Sequence, residues 1–308
     1  MNNLTHKLFI LTNNNKKYSQ LINKRCLEAL SLTDNRDEAS ILLADPPLAA
    51  KQLESFPNLK WLQSTYAGID SLLHPSHRKD YQLTNVKGLF DQAIAEYVLG
   101  YTISYYRHFQ QYQHQQKQGI WKPHSYSTLE SKRMLILGTG SIGNGLAKKV
   151  RSMGIQVSGI NRTGKYPNTS YFHQIYPIQE LESIVSNADI IVNTLPSTAE
   201  TYHLIDSIAL QHAQGAILFN VGRGSTLCSK GLLGALEAGN IEHAYLDVFE
   251  SEPLEMDHPY WHHSKITLTP HIAALSFPEQ IIDIFSSNYL LWKDSKPLQY
   301  RIDFTQGY

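Results

Sequence analysis

The segment from Lys132 to Thr163 constrains this chain more than any other. Met134-Leu135-Ile136-Leu137 is an apolar run of the length expected for a buried parallel strand. Gly138-Thr139-Gly140-Ser141-Ile142-Gly143 follows as a G-x-G-x-x-G, and Ile142, Leu146, Val150 and Met153 then recur at helical spacing. After Gly154 a second apolar strand reads from Ile155 to Ile160. Strand, glycine turn, helix and strand make up the context in which this motif binds a dinucleotide, whereas a bare match is only a glycine-rich turn. Gly138 permits the tight turn, Gly140 lets a pyrophosphate approach the backbone, and Gly143 lets helix and strand pack closely. The helix then meets the phosphates with free N–H groups and the positive end of its dipole. Thr139, Ser141 and Ile142 complete this expected cofactor-binding turn.

The end of the second strand refines the cofactor. An NAD site carries an acid there for the ribose hydroxyls, but this chain has Asn161-Arg162-Thr163. A guanidinium holds a 2′-phosphate bidentately where a carboxylate would repel it. The segment therefore predicts a preference for NADPH, with NAD as the alternative and a solvated surface arginine as the plain reading.

The rest of the composition removes other classes. The 308 residues suffice for two domains with sizeable cores, and 27 Lys plus Arg balance 27 Asp plus Glu. That balance leaves no field favouring nucleic acid or an anionic membrane. Cys26 and Cys228 alone suit a reducing compartment, and Leu8 to Leu11 is far shorter than a signal peptide or membrane span. The expectation is a cytoplasmic protein. His262-His263 lacks a third ligand at metal-site spacing, so no metal is expected.

Strands and helices alternate along the chain, which predicts an α/β fold with parallel sheets covered by helices on both faces. Strands are expected at Lys7 to Thr12, Ala39 to Ala44, Leu59 to Ser64 and Tyr81 to Val86, with a helix from Tyr18 to Leu30. Asp91 to about Gln118 reads as one long helix, whose Tyr101, Tyr105 and Tyr106 suit packing or a subunit interface. About six parallel strands follow from Met134 onward, with another expected around Tyr171. Ser276-Phe277-Pro278-Glu279 matches a capping box with an early proline. The turn Tyr66-Ala67-Gly68 follows a strand directly, so it is either a plain connection or a place where free N–H groups hold a small anion.

Three later strands end in ionisable groups. Asn220-Val221 runs into Gly222-Arg223-Gly224, Asp247-Val248-Phe249 into Glu250-Ser251-Glu252-Pro253, and Thr269 into Pro270-His271-Ile272-Ala273. Singly, these are a surface charge, a loop acid and a half-buried imidazole. Beside a dinucleotide fold they make an anion clamp, a carboxylate and a proton donor.

With these blocks in place, the sequence resembles the D-isomer-specific 2-hydroxyacid dehydrogenases, and among them the glyoxylate/hydroxypyruvate reductase group. Trp61 to Asp70 and Ile94-Ala95-Glu96-Tyr97 share in the likeness. The resemblance implies two doubly wound parallel-sheet domains, a Rossmann cofactor domain (93–274) inserted into a flavodoxin-like substrate domain (1–92 and 275–308). It implies His271 as general acid/base, Glu252 as its partner and Arg223 as the residue that binds the substrate carboxylate. Tyr66, Ala67 and Gly68 join Arg223 and His271 at the substrate. Leu195, Pro196, Val221, Gly222, Arg223, Asp247 and His271 join the glycine turn and Asn161-Arg162-Thr163 at the cofactor. The implied activity is NADPH-dependent reduction of a small 2-oxo acid by a homodimer. Two alternatives stay open: an NAD-dependent dehydrogenase of a larger or phosphorylated 2-hydroxy acid, and a non-catalytic NAD(H)-sensing protein of the corepressor type.

Overall fold

A computed structural model describes residues 5–305, and the chain divides into two compact units. One holds the residues up to Leu89 together with those from Ser276 onward, and the other is Phe90–Leu275. The divisions thus fall at 89/90 and 275/276, beside the expected 92/93 and 274/275.

The first unit is built from β1 (His6–Leu11), α1 (Asn15–Arg25), β2 (Leu30–Leu32), β3 (Ile41–Ala44), α2 (Pro46–Gln52), β4 (Trp61–Ser64) and β5 (Gln82–Thr84). Its strands pair in parallel in the order β2-β1-β3-β4-β5, a flavodoxin-like arrangement. β3 and β4 are buried at every position, as apolar central strands covered on both faces must be. The C-terminal helix Pro278–Lys293 covers one face, where Phe285 stacks on Trp61 with centroids 5.2 Å apart. The one strongly polar residue of β4, Gln63, is satisfied: it accepts from Asn288 and donates to the carbonyls of Ser64 and Asn85.

Two local expectations fail here. α1 stops at Arg25 because Cys26 turns left-handed (φ 47°), and Leu30–Leu32 then pairs with β1 as an edge strand. Ser276 forms no capping box. Its hydroxyl donates to the Thr65 carbonyl instead (2.8 Å), and the helix starts after Phe277 with Pro278 in its first turn.

The second unit contains α3 (Asp91–Tyr106), α4 (Phe109–Gln118), β6 (Arg133–Leu137), α5 (Ser141–Val150), β7 (Gln156–Asn161), β8 (Gln174–Pro177), α6 (Leu181–Val185) and β9 (Ile190–Asn193). It continues with α7 (Ser207–Leu210), β10 (Ala216–Asn220), α8 (Ser229–Ala238), β11 (Ile241–Leu246) and β12 (Ile266–Leu268). Among the described residues its sheet has seven strands, all parallel, in the order β8-β7-β6-β9-β10-β11-β12. This is the doubly wound dinucleotide order with one strand added beyond the six required. The strand expected around Tyr171 lies at Gln174–Pro177, just past it.

The expected single helix is two. Arg107 and His108 break it, His108 taking φ 57°, although neither proline nor glycine stands at the break. Tyr101 and Tyr245 pack with centroids 4.7 Å apart and Tyr245 stacks on Phe219, so Tyr101 belongs to the core of this unit.

Candidate active site

The strand order reverses between β6 and β9, and in doubly wound sheets ligands gather at the carboxyl ends of the strands flanking that point. Gly138 ends β6 with φ 101°, and the Thr194 hydroxyl donates to the carbonyls of Leu137 and Gly138 from the end of β9. A Cβ at Gly143 would sit 2.0 Å from the Gly138 carbonyl oxygen, so only glycine lets α5 pack this close to the turn. Gly140 differs: a Cβ there would meet no protein atom within 4 Å. The two outer glycines serve the turn and the packing. The middle one borders open space at the start of α5, with Ser141 and Ile142 in that helix's first turn, as a pyrophosphate cradle requires. The residues fit a dinucleotide.

At the end of β7, Asn161 organises a small loop. Its Oδ1 accepts from the amides of Thr163 and Gly164, and its Nδ2 donates to Thr139 Oγ1 (2.9 Å) and to the Lys165 carbonyl (2.8 Å). The side chain therefore ties the loop to the glycine turn and leaves Arg162 and Thr163 exposed beside it. Lys165, which the sequence reading passed over, is a second exposed cation on the same loop. Its signal was its position four residues past Asn161. Glu200 lies close enough to Arg162 for that charge to help hold its carboxyl below the usual range, after its own backbone amide and Thr198.

The ends of β10, β11 and β12 carry the ionisable residues. Beyond β10, Val221 is buried and Arg223 is extended (φ −139°, ψ 142°). Buried Asn193 donates to Asn220 Oδ1 (2.8 Å) and Thr226 Oγ1 (2.6 Å), while Asn220 and Thr226 donate to the Arg223 carbonyl. The glycines around Arg223 serve close approach, since neither has a positive φ. A Cβ at Gly222 would stand 2.7 Å from the carbonyl oxygen of Leu195, and one at Gly224 would lie 1.8 Å from the Phe249 carbonyl carbon. Leu195 is buried and Pro196 exposed on the loop so contacted.

Glu252 and His271 meet. His271 Nδ1 lies 2.8 Å from Glu252 Oε2, and Glu252 Oε1 accepts from the Phe249 amide (2.9 Å). The hydrogen bond to Glu252 raises the imidazole pKa; burial opposes it, the charges of Glu252 and Asp247 add to it, and Arg223 works against it. Burial alone would push the Glu252 carboxyl up, but the bond from His271, the Phe249 amide and the charges of His271 and Arg223 bring it below its ordinary value. The Arg223 charge acts on both partners, while its Nη1 donates to the Gly222 carbonyl (2.7 Å). Asp247 is buried, its carboxylate accepting from Thr269 Oγ1 and from the amides of Ile272 and Ala273. A charged clamp, an oriented carboxylate and a raised imidazole together suit the protonation of a carbonyl oxygen in an anionic substrate.

In the other unit, Tyr66, Ala67 and Gly68 form the turn after β4. Asn85 Nδ2 donates to the Ala67 carbonyl, and among the described residues neither the Ala67 nor the Gly68 amide donates to another backbone group.

Residues 99–273 match the family model described as D-isomer specific 2-hydroxyacid dehydrogenase, NAD binding domain. The glyoxylate/hydroxypyruvate reductase A of Serratia proteamaculans (strain 568) is 30% identical over 300 residues, covering 94% of this chain and 94% of that protein. A crystal structure of a D-isomer specific 2-hydroxyacid dehydrogenase family protein from Aeromonas salmonicida subsp. salmonicida A449 superposes with a TM-score of 0.91 at 41% identity, over 97% of this chain and 99% of that one. A D-isomer specific 2-hydroxyacid dehydrogenase from Xanthobacter autotrophicus Py2, solved with NADPH and MES, gives 0.88 at 25% identity, over 99% and 100%.

Proposed function

The chain belongs to the D-isomer-specific 2-hydroxyacid dehydrogenase family, and we propose that it reduces glyoxylate, hydroxypyruvate or a similar small 2-oxo acid to the D-2-hydroxy acid with NADPH. The observation that carries this reading is the 2.8 Å contact between His271 Nδ1 and Glu252 Oε2. The reductase A relative and the NADPH-bound structure support the substrate class and the cofactor.

NADPH, when bound, supplies the hydride to C2 of the substrate. The chain's residues do the rest. Arg223 pairs with the substrate carboxylate and fixes the carbonyl's direction. With Nδ1 engaged by Glu252, the imidazole presents Nε2 to the substrate and delivers its proton to the carbonyl oxygen as negative charge grows there. Glu252 keeps the ring protonated to higher pH than a free histidine, the state a reductase needs. Gly138 to Gly143 hold the pyrophosphate, Arg162 and Lys165 take the 2′-phosphate with Thr163, and Asn161 shapes their loop. Leu195, Pro196 and Val221 flank the nucleotide, with Asp247 toward its nicotinamide end. Tyr66, Ala67 and Gly68 are assigned to the substrate on the resemblance, the first unit being the substrate domain and the second the cofactor domain.

A homodimer through the second unit is proposed from Ile120, Trp121 and Tyr126, large apolar side chains exposed there, Trp121 at 99%. Light scattering on purified protein tests it, and a monomer at micromolar concentration rejects it. A cytoplasmic location is proposed because the free Cys26 and Cys228 suit a reducing compartment, and fractionation tests it.

The test of the activity is oxidation of NADPH and of NADH followed at 340 nm with glyoxylate, hydroxypyruvate, pyruvate and longer 2-oxo acids. Turnover of the small acids with NADPH favoured is expected. A clear NADH preference rejects the assignment of Arg162, and cofactor binding without turnover of any 2-oxo acid rejects the enzyme.

A further inference from the structure

We propose that Tyr97 and Thr269 are positioning residues for the proton donor, holding the turn that carries His271 through a directed chain of hydroxyl hydrogen bonds into the Asp247 carboxylate. The proposal rests on the reading of His271 as that donor. Tyr97 lies on α3, outside the three strand ends that carry the site, and its hydroxyl is 2.7 Å from Thr269 Oγ1. Thr269 Oγ1 in turn donates to Asp247 Oδ1 at 2.6 Å. A threonine hydroxyl has one proton, and here the carboxylate takes it. The contact with Tyr97 is therefore one in which the phenol donates and Thr269 accepts. Tyr97, Thr269 and Asp247 form a one-way series, in which each bond polarises the next.

The end of that series is the backbone of the His271 turn. Asp247 Oδ1 also accepts from the Ile272 amide (2.8 Å), Oδ2 accepts from the Ala273 amide (2.9 Å), and the Asp247 carbonyl accepts from the His271 amide (2.9 Å). His271 itself has φ 54°, a left-handed conformation disfavoured for any residue with a Cβ. A turn of this kind persists only where its surroundings over-determine it. Asp247 supplies that determination, and Thr269 with Tyr97 fixes how the carboxylate is rotated. Burial pushes the Tyr97 phenol well above its ordinary range; the bond to Thr269 opposes that rise and Asp247 and Tyr101 add to it, so it remains a donor across the working pH range. The charged groups facing the imidazole are Glu252, Asp247 and Arg223. Loosening the turn moves the ring off Glu252, the group that raises its pKa most, and the pKa falls back toward that of a free histidine.

The test compares Tyr97→Phe, Thr269→Val and Thr269→Ser with the unmodified enzyme in NADPH-dependent reduction of glyoxylate from pH 5 to 9. The ring C–H resonance of His271, identified by its loss in His271→Asn, is titrated by NMR in each variant. Tyr97→Phe is expected to lower kcat about three- to tenfold, move the alkaline limb and the His271 titration to lower pH, and leave KM for NADPH unchanged. Thr269→Val should do more, because it leaves Asp247 Oδ1 short of a donor, and Thr269→Ser should restore the normal profile. Loss of thermal stability in Tyr97→Phe and Thr269→Val with an unmoved pH profile and an unmoved His271 resonance overturns the proposal. The resonance reads placement without turnover. A His271→Asn enzyme of normal rate, together with a displaced titration in Tyr97→Phe, therefore rejects the donor role and keeps the positioning one.

Discussion

The Arg223 turn and the His271 turn end strands on either side of β11, and each presents one basic side chain at the same sheet edge. They are held in different ways. Beneath Arg223 lies an uncharged lattice of Asn193, Asn220 and Thr226, buried throughout. Beneath His271 lies a carboxylate, Asp247, gripping two amides and a hydroxyl. A guanidinium stays charged at any working pH and needs only to be fixed in place. An imidazole must be fixed and must also have its proton affinity set, which takes charges within reach. Amide and hydroxyl anchors serve the first task, and ionised neighbours serve the second.

This contrast breaks most directly on the side chains themselves. His271→Ala should lower kcat by about a hundredfold or more, the usual size of general acid catalysis, with modest change in substrate KM. Near-normal turnover would remove the residue from the mechanism. Arg223→Ala should raise substrate KM about ten- to a hundredfold and lower kcat as well, since a charge-assisted contact present before and during reaction is lost. An unchanged KM would show that the clamp lies elsewhere.

The anchors should separate next. Asn220→Ala strips two acceptor contacts and a donor from a fully buried site, so it should cost about 1–3 kcal/mol of stability at every pH. A destabilisation that changed with pH would contradict an uncharged anchor. The smallest effect is a displacement. As the proposed proton donor His271 acts in its protonated form, and its pKa is raised, so turnover should be full below that pKa and fall as pH climbs through it, above 6.5. Glu252→Gln removes the main cause of the rise and should shift that falling limb toward lower pH. A limb that stays in place would mean that Glu252 does not tune the imidazole.

The sequence exposed what depends on neighbouring residues. Strand, glycine turn and helix around Gly138 to Gly143 are contiguous, so their periodicities and spacing could be read directly. Arg223, Glu252 and His271 were readable as charges at strand ends because parallel strands direct their termini to one edge. What escaped depends on distant contact or on backbone angles. The Asn193–Asn220–Thr226 lattice joins residues 27 and 33 apart that look in sequence like ordinary strand-end polar groups. The glycines beside Arg223 answer the approach of Leu195 and Phe249 from other loops, which no local pattern announces. The break at His108 has no breaker residue, and Ser276 had a capping pattern whose hydroxyl found the Thr65 carbonyl instead.

The loop at the end of β7 carries a lesson for altering coenzyme choice. The customary change would install an acid at Asn161 or Arg162. At Asn161 a carboxylate keeps the two acceptor contacts to Thr163 and Gly164, yet it loses both donors and turns negative oxygen on the Lys165 carbonyl. The link to Thr139 then survives only if threonine reverses its own hydroxyl. On the proposed assignment of the 2′-phosphate, a redesign toward NADH should therefore begin at Arg162 and Lys165, whose side chains are exposed, and keep the asparagine as a fixed hinge pin.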